Sequence, residues 1–477
     1  MKRYERHADT IAQLIHSGAL RPGDRVPSVR ESSRTRGISP STVFEAYYQL
    51  EAQGLIHARP RSGYYVSARL PAAPGQVPPA EPLPSQPAAG SIGVAISDLV
   101  FEVLGSARER GLVPLGSAFP GLELFPLERL ARCLSGGMRR LDPWNIVQSL
   151  PPGDERLRQQ IALRYGLHGT AVDVGELIIT NGAMEALNLC LEAVTRPGDI
   201  VVVESPTFYA ALQALERLNL QAVEVATHPR EGIDLAALAE ALARHPVKAC
   251  WLMPSFQNPL GSLMPEEKKR ALVALLARHQ VPLIEDDVYG ELHFAPERPP
   301  PAKAFDTEGL VMHCSSFSKC LAPGYRVGWV AAGRFATAVQ RLKLMTTLAA
   351  AVPSQQALSE YLAQGGYDRH LRQLRRSLAR QQERALAVIA RHFPAGTRVS
   401  RPEGGYFLWV ELPPSVNALA LHRQALAQGI SLAPGQIFSA DQRFAHCVRI
   451  NYGHPAQERF EEALATVGRL AGALAPG

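Results

Sequence analysis

The sequence predicts two folded parts of different class: a small α+β head of three helices and a hairpin, and a large α/β body on a mostly parallel sheet. Three observations carry this. At 477 residues the chain exceeds the roughly 250–300 at which a single hydrophobic core stops growing. Residues 70–90 hold seven prolines among 21 positions, a composition that builds no core and divides the chain. Before that stretch the pattern is three short helices and two short strands; beyond it, apolar β-branched runs alternate with amphipathic helical stretches.

In the head, the first helix runs from about Tyr4 to His16 with Ile11, Leu14 and Ile15 on one face, and Gly18 stands where it would stop. After the turn Arg21-Pro22-Gly23-Asp24, Ser28-Val29-Arg30-Glu31 has capping-box spacing: hydroxyl and carboxylate each satisfy a free backbone N–H. Gly37 ends this second helix. The third opens with Ser39 as N-cap and Pro40 at the first helical position, where a missing N–H costs nothing, and places Val43, Tyr47 and Leu50 inward. Gly54 closes it. Leu55 to Val66 then reads as strand, tight turn and strand, a wing. Such geometry sets the start of the third helix against base edges, so Ser39, Ser41 and Thr42 are candidate readers. Arg25, Arg30 and Arg59 are candidate phosphate contacts, and Gly63 permits close approach of the wing tip. A hairpin used for protein contacts is the plainer alternative.

Charge agrees with a polyanionic partner. Residues 1–69 carry eleven Lys/Arg and six Asp/Glu, so the head holds +5 of the chain's net +6. No uninterrupted apolar run approaches the roughly 18 residues of a membrane span, and the N-terminus lacks a signal-peptide core, so a cytoplasmic protein is expected. Six cysteines are scattered, none in a Cys-x-x-Cys pair, which points to buried reduced thiols and to no metal site. The proline-rich segment favours extended polyproline II, with a reach on the order of 65 Å at about 3.1 Å per residue. The expected division is a head over 1–68, a linker over 69–95 and a body over 96–477.

In the body, Leu177-Ile178-Ile179-Thr180, Ile200 to Glu204, Ala249 to Met253 and Val281 to Glu285 are continuous apolar runs. Such strands, buried on both faces, belong to parallel sheets, and ligands bind beyond their C-terminal ends. After the first run comes Asn181-Gly182-Ala183-Met184, where a helix start can hold a phosphate on free N–H groups. After the second, Phe208 is able to stack on a planar heterocycle or to pack in the core. After the third, Gln257-Asn258-Pro259 presents an amide. After the fourth stand Asp286, Asp287 and Tyr289; the adjacent carboxylates suggest acid catalysis or a metal, but no matching His or Cys cluster accompanies them. The segment Ser316-Phe317-Ser318-Lys319 with Arg326 seven residues on offers an amine nucleophile beside phosphate-binding groups, and a nearby guanidinium helps to deprotonate that amine.

These motifs resemble two families. Pro22 to Glu31, Gly37 to Val43, Ala46-Tyr47, Gly54-Leu55-Ile56 and Arg59 to Gly63 look like the GntR-type winged helix-turn-helix. That resemblance implies DNA contacts at Arg25, Arg30, Ser39, Ser41, Thr42, Arg59 and Gly63. From about residue 110 to 470 the chain resembles the fold-type-I aminotransferases of the kynurenine/α-aminoadipate kind, an α/β pyridoxal-phosphate transferase fold with a smaller C-terminal α/β subdomain. This implies Lys319 as the internal aldimine lysine and Asp286 as the partner of the pyridine nitrogen. It further implies Asn258 and Tyr289 on the ring hydroxyl and Phe208 on the ring face, with Ser316, Ser318, Arg326 and the Gly182, Ala183 and Met184 backbone on the phosphate. Arg449 matches the arginine that grips a substrate carboxylate. Two departures stand out. Ala183 and Met184 replace the family's usual hydroxyl or amide side chains, and Gln148-Ser149 stands where many members carry a tyrosine that reaches the partner subunit's phosphate.

The fusion of these two parts resembles the MocR/GabR regulators. The resemblance implies a homodimeric transcription regulator that binds double-stranded DNA at paired half-sites. Its pyridoxal phosphate, or an amino compound bound through it, would bias the two heads. Two other readings stay open: a working aminotransferase with a DNA-binding appendage, and a structural DNA-binding protein with an inert cofactor domain.

Overall fold

In a computed structural model of the chain, the structure describes residues 3–16, 20, 23–52, 55–59, 62–67, 79–106, 111–139, 141–455 and 459–475. It divides into two compact units, Met1–Gln76 and Val77–Gly477. In the first, α1 (Arg3–His16), α2 (Val29–Arg36) and α3 (Pro40–Ala52) precede an antiparallel hairpin of β1 (Ile56–Arg59) and β2 (Gly63–Val66). The capping box at Ser28 and Glu31 is formed from both sides, and Gly37 ends α2 in the left-handed conformation. Ala8, Ile11, Val26, Val43, Ala46, Tyr47, Leu50, Leu55, Ile56 and Val66 make the core. Leu14, expected inside, is 37% exposed, because Ala8 and Ile11 carry the buried face of α1. Gly18 and Gly54, expected to end α1 and α3, lie outside the described residues.

The second unit is built on a nine-stranded sheet in the order β3-β6-β5-β8-β9-β10-β11-β4, with β7 paired to β6. The strands are β3 (Ile92–Gly93), β4 (Leu177–Thr180), β5 (Ile200–Ser205), β6 (Gln221–His228), β7 (Gly232–Ile233), β8 (Val247–Leu252), β9 (Leu283–Asp286), β10 (Val311–Ser316) and β11 (Gly328–Ala331). The run β6-β5-β8-β9-β10 is parallel, as the continuous apolar runs predict, while β11 is antiparallel to both β10 and β4. Strands β4, β5, β9 and β10 are buried at every residue, so the polar groups after their ends are what the sheet presents. A second sheet, β12 (Arg398–Val399), β13 (Phe407–Glu411), β15 (Cys447–Asn451) and β14 (Ala433–Pro434) in that order, forms the C-terminal part.

The segment expected to be linker over 69–95 is tied to the body along its second half, and the compact unit begins at Val77 rather than near Ile96. Arg401 donates to Pro79 O (3.0 Å), Arg230 pairs with Glu81, and Arg443 donates to Gln86 O (2.8 Å). The Ser85 hydroxyl donates to Ser205 O (2.5 Å) and accepts from Thr227 N (3.0 Å), and Ile92–Gly93 adds an edge strand to β6. Prolines remove donors but leave carbonyls, and body arginines reach those carbonyls. Reach calculated for all of residues 70–90 therefore overstates the free chain.

Candidate functional site

The backbone around residue 182 is shaped for an anion. Gly182 caps the helix Ala183–Val194 at φ +81 with no side-chain cap hydrogen bond, so the helix start can offer N–H groups to an anion. A Cβ at Gly182 would stand 2.5 Å from Arg326 Nη2, which places the guanidinium directly over the cradle. Arg326 also donates to Asn181 O (3.2 Å). Gly328 pairs across the sheet with Thr180 on one side and Ser316 on the other. A Cβ there would strike Gly182 C, Ala183 N and Ser315 O at 2.5–2.8 Å, so only glycine lets β11 come this close to the cradle. Ser316 Oγ accepts from Ser318 N (3.3 Å), while Ser318 Oγ is buried without a partner.

Lys319 lies one residue beyond. Its Nζ donates to Ala118 O (2.8 Å), which also accepts from Tyr406 Oη (3.0 Å), and lies 4.1 Å from the Phe119 ring centre. Removal from water, then the charges of Arg449 and Arg326, lower the Lys319 amine to about 7, against the opposing pull of Asp286. At neutral pH a large share of this amine carries its lone pair. Asp286 ends β9 beside Cys314 of β10. Burial, with Asp287 adding to it, raises its carboxyl to about 7, and its Oδ1 has no hydrogen-bond partner. Asp287 takes a different role: Arg298 (2.6 Å) and His313 (3.0 Å) bond its Oδ2, and these partners hold its carboxyl below the usual range. The adjacent carboxylates are thus divided between the site and a buried ion pair, and among the described residues no His/Cys/Asp/Glu group suited to a metal is present.

Arg449, on β15, is fully buried, and its partners are all neutral: Asn258 Oδ1 (3.0 Å), Gly116 O (2.8 Å) and Ser117 O (3.2 Å). Its Nε and the Asn258 Nδ2 are buried without partners. Phe407 lies 4.2 Å and Phe438 5.3 Å from the guanidinium carbon. Tyr289 is buried with its ring 5.5 Å edge-on to Tyr406. Phe208 caps the helix Tyr209–Arg217 and packs on Tyr209 at 4.8 Å. Ala183 is buried and Met184 half-buried; Gln148 ends the helix Pro143–Gln148 and Ser149 is buried.

The structure therefore brings Gly182, Ser316, Ser318, Lys319, Arg326, Asp286, Asn258, Tyr289 and Arg449 into one region. Sequence reading misses the turn Gly116–Phe119, which acts through carbonyls that any residue type supplies. Asn451, which pins that stretch at Ser117 O and Phe119 O, stands two residues after Arg449 and was the available signal.

In the head, Arg25 lies along the wing, its guanidinium 3.4 Å from where a Gly63 Cβ would be, and Gly63 has φ +109. Arg30, Ser39 and Ser41 are exposed and Thr42 half-exposed. Ser39 Oγ caps α3 through Thr42 N (3.2 Å) and meets Ser41 Oγ and Thr42 Oγ1 at 2.8 Å. The Arg59 side chain lies outside the described residues.

Comparison with known proteins agrees with both halves. The family model "Bacterial regulatory proteins, gntR family" matches residues 3–66, and "Aminotransferase class I and II" matches residues 144–467. The HTH-type transcriptional regulator YdcR of Escherichia coli (strain K12), itself named as uncharacterized, is 48% identical over 98% of this chain and 99% of its own length. The chain belongs to the MocR/GabR-type transcription regulators. Its body is similar to the kynurenine aminotransferase of Pyrococcus horikoshii solved in complex with PMP (TM-score 0.74, 28% identity, 80% of this chain and 95% of that one). It is likewise similar to the α-aminoadipate aminotransferase LysN of Thermus thermophilus, complexed with N-(5'-phosphopyridoxyl)-L-leucine (TM-score 0.70, 29% identity, 80% and 98%). The regulator thus couples a DNA-binding GntR head to a fold that carries pyridoxal 5'-phosphate. Among its described residues no helix is long and apolar enough to cross a membrane. The residues present fit that cofactor: the unpartnered Asp286 Oδ1, Asn258 Nδ2 and Ser318 Oγ and the open helix start are one acceptor and a set of donors awaiting a polar, anionic ring compound.

Proposed function

We propose that this regulator senses a carboxylate-bearing amino compound, or pyridoxal phosphate itself, at the Lys319 site and passes the bound state to its DNA-binding heads as a cytoplasmic homodimer at paired half-sites. One observation carries the ligand class. Arg449 is a fully buried cation held only by an amide and two carbonyls, with Nε unpartnered. A buried charge without a counter-ion is costly, and a ligand carboxylate is the group that relieves it through a bidentate pair.

The remaining residues divide the work of holding the cofactor. Lys319 supplies the amine that attaches it, brought into the neutral-pH range by burial and by Arg449 and Arg326. Asp286 faces the ring nitrogen, and its raised carboxyl keeps a proton available there. Asn258 and Tyr289 bind the ring hydroxyl and Phe208 covers the ring. Ser316, Ser318, Arg326 and the N–H groups of Gly182, Ala183 and Met184 take the phosphate. When bound, pyridoxal phosphate supplies an aldehyde that condenses with amines and a ring that withdraws electrons from the attached carbon.

The test is a visible absorbance titration of the full chain with pyridoxal phosphate, for wild type and Lys319→Ala, followed by a panel of amino acids and amines with DNA binding read in parallel. A lysine-dependent band that one amino compound shifts, with a matching change in DNA affinity and no keto acid formed, supports the sensor. Steady keto-acid release at ordinary enzymatic rates, of order 10 per second, replaces it with a transaminase. DNA affinity indifferent to every ligand refutes regulation through this site.

A further inference from the structure

The recognition helix carries an aromatic pair that the head does not use. In α3 the residues Val43, Ala46, Tyr47 and Leu50 are fully buried. Tyr47 further fixes the helix rotation, its hydroxyl meeting Ser32 Oγ (2.8 Å) and donating to Pro27 O (2.6 Å). The opposite face is set by the same rotation: Ser41, Phe44, Glu45 and Tyr48, spaced i, i+3, i+4 and i+7, are all exposed. Phe44 is 42% and Tyr48 50% exposed, and their rings stack at 6.3 Å and 27°. Leaving a phenyl ring in water forgoes burial that the small head core could use, so this face is shaped for a partner with apolar features.

The N-terminal end of the same face limits which residues can read bases. Ser39 Oγ is engaged by Thr42 N and the neighbouring hydroxyls, so the capping network absorbs much of its hydrogen-bonding capacity. Ser41 shares that network through its own hydroxyl, and one turn on stands Phe44. In a major groove the apolar feature that distinguishes one base is the thymine 5-methyl group, and phenylalanine is among the side chains that pack against it. We propose that Phe44 is a specificity-determining residue, packing against a thymine methyl in the major groove while Tyr48 holds its ring from behind. This rests on the DNA-binding reading of the head, since α3 is the helix that such heads place in the groove.

The test uses the full-length protein and a randomised double-stranded DNA library. Wild type, Phe44→Ala and Phe44→Leu are each used to select duplexes, and every thymine of the selected wild-type site is then replaced in turn by deoxyuridine, which removes only the methyl. We expect one thymine per half-site whose replacement weakens wild type about fourfold, the worth of one buried methyl. That penalty disappears in Phe44→Ala and returns in Phe44→Leu. Circular dichroism confirms that the exposed substitutions leave the head folded. An equal deoxyuridine penalty in wild type and Phe44→Ala, or a Phe44→Leu protein that behaves as Phe44→Ala, overturns the inference. Failure of the wild type to enrich any duplex overturns the DNA-binding reading beneath it instead.

Discussion

Replacing Gly182 by alanine tests the phosphate cradle. The new methyl meets two distinct costs. At φ +81 and ψ 172 a side chain enters a backbone region that is essentially glycine-only, at a cost of about 1–3 kcal/mol that lowers the stability of the body. At 2.5 Å from Arg326 Nη2 it also drives the guanidinium from its place over the helix start. Losing one charge-assisted hydrogen bond to the cofactor phosphate is worth about 1.5–3 kcal/mol, or roughly 10- to 150-fold in Kd at about 1.4 kcal/mol per decade. Gly198 separates the two costs, since it has φ +91 with nothing within 4 Å of the added carbon. Gly198→Ala puts a side chain at positive φ without the clash. An absorbance titration with pyridoxal phosphate is expected to show Gly182→Ala weakened at least tenfold and Gly198→Ala unchanged, although both proteins lose stability in urea. Equal affinities for the two variants would refute the cradle.

Three further outcomes follow from the same geometry. Because the Lys319 amine is lowered to about 7, its neutral fraction, and with it the rate of pyridoxal phosphate incorporation, rises through pH 7 and levels above pH 8; a midpoint near 10 contradicts burial and the two arginines as forces on this amine. Arg298→Leu strands the buried Asp287 carboxylate and costs about 3–5 kcal/mol in chemical denaturation; a loss under about 1 kcal/mol would mean the pair is not what holds that corner. Ser85→Ala removes the acceptor of the Thr227 amide and the donor to Ser205 O, so hydrogen exchange at Thr227 accelerates by roughly tenfold or more at about 1–3 kcal/mol for the orphaned group. Unchanged protection at Thr227 rejects the attachment.

Much of this was legible because side-chain type and position coincide. Ser28, Glu31, Pro40 and Gly37 act through local rules of helix ends, and the cap geometry follows from neighbours in sequence. The runs at 177–180 and 200–204 are buried throughout, which continuous apolar residues encode directly. Residue type alone did not separate Asp286 from Asp287, and only the family resemblance did, because the difference lies in Arg298 and His313, which reach Asp287 from 11 and 26 residues away. The direction of β11 was equally hidden: an apolar strand reads the same parallel or antiparallel. Proline content misled over 79–93, since it reports missing donors and says nothing of carbonyls that distant arginines bind.

That bound segment and the ligand site share a carboxylate. Glu224 accepts from Ser205 Oγ (2.7 Å), whose residue holds Ser85 through its carbonyl. It also accepts from Ser439 Oγ (3.0 Å), the residue after Phe438 beside Arg449. Linkage between such positions is reciprocal. A ligand that prefers the attached segment tenfold strengthens its attachment by about 1.4 kcal/mol, and the attached segment tightens that ligand by the same factor.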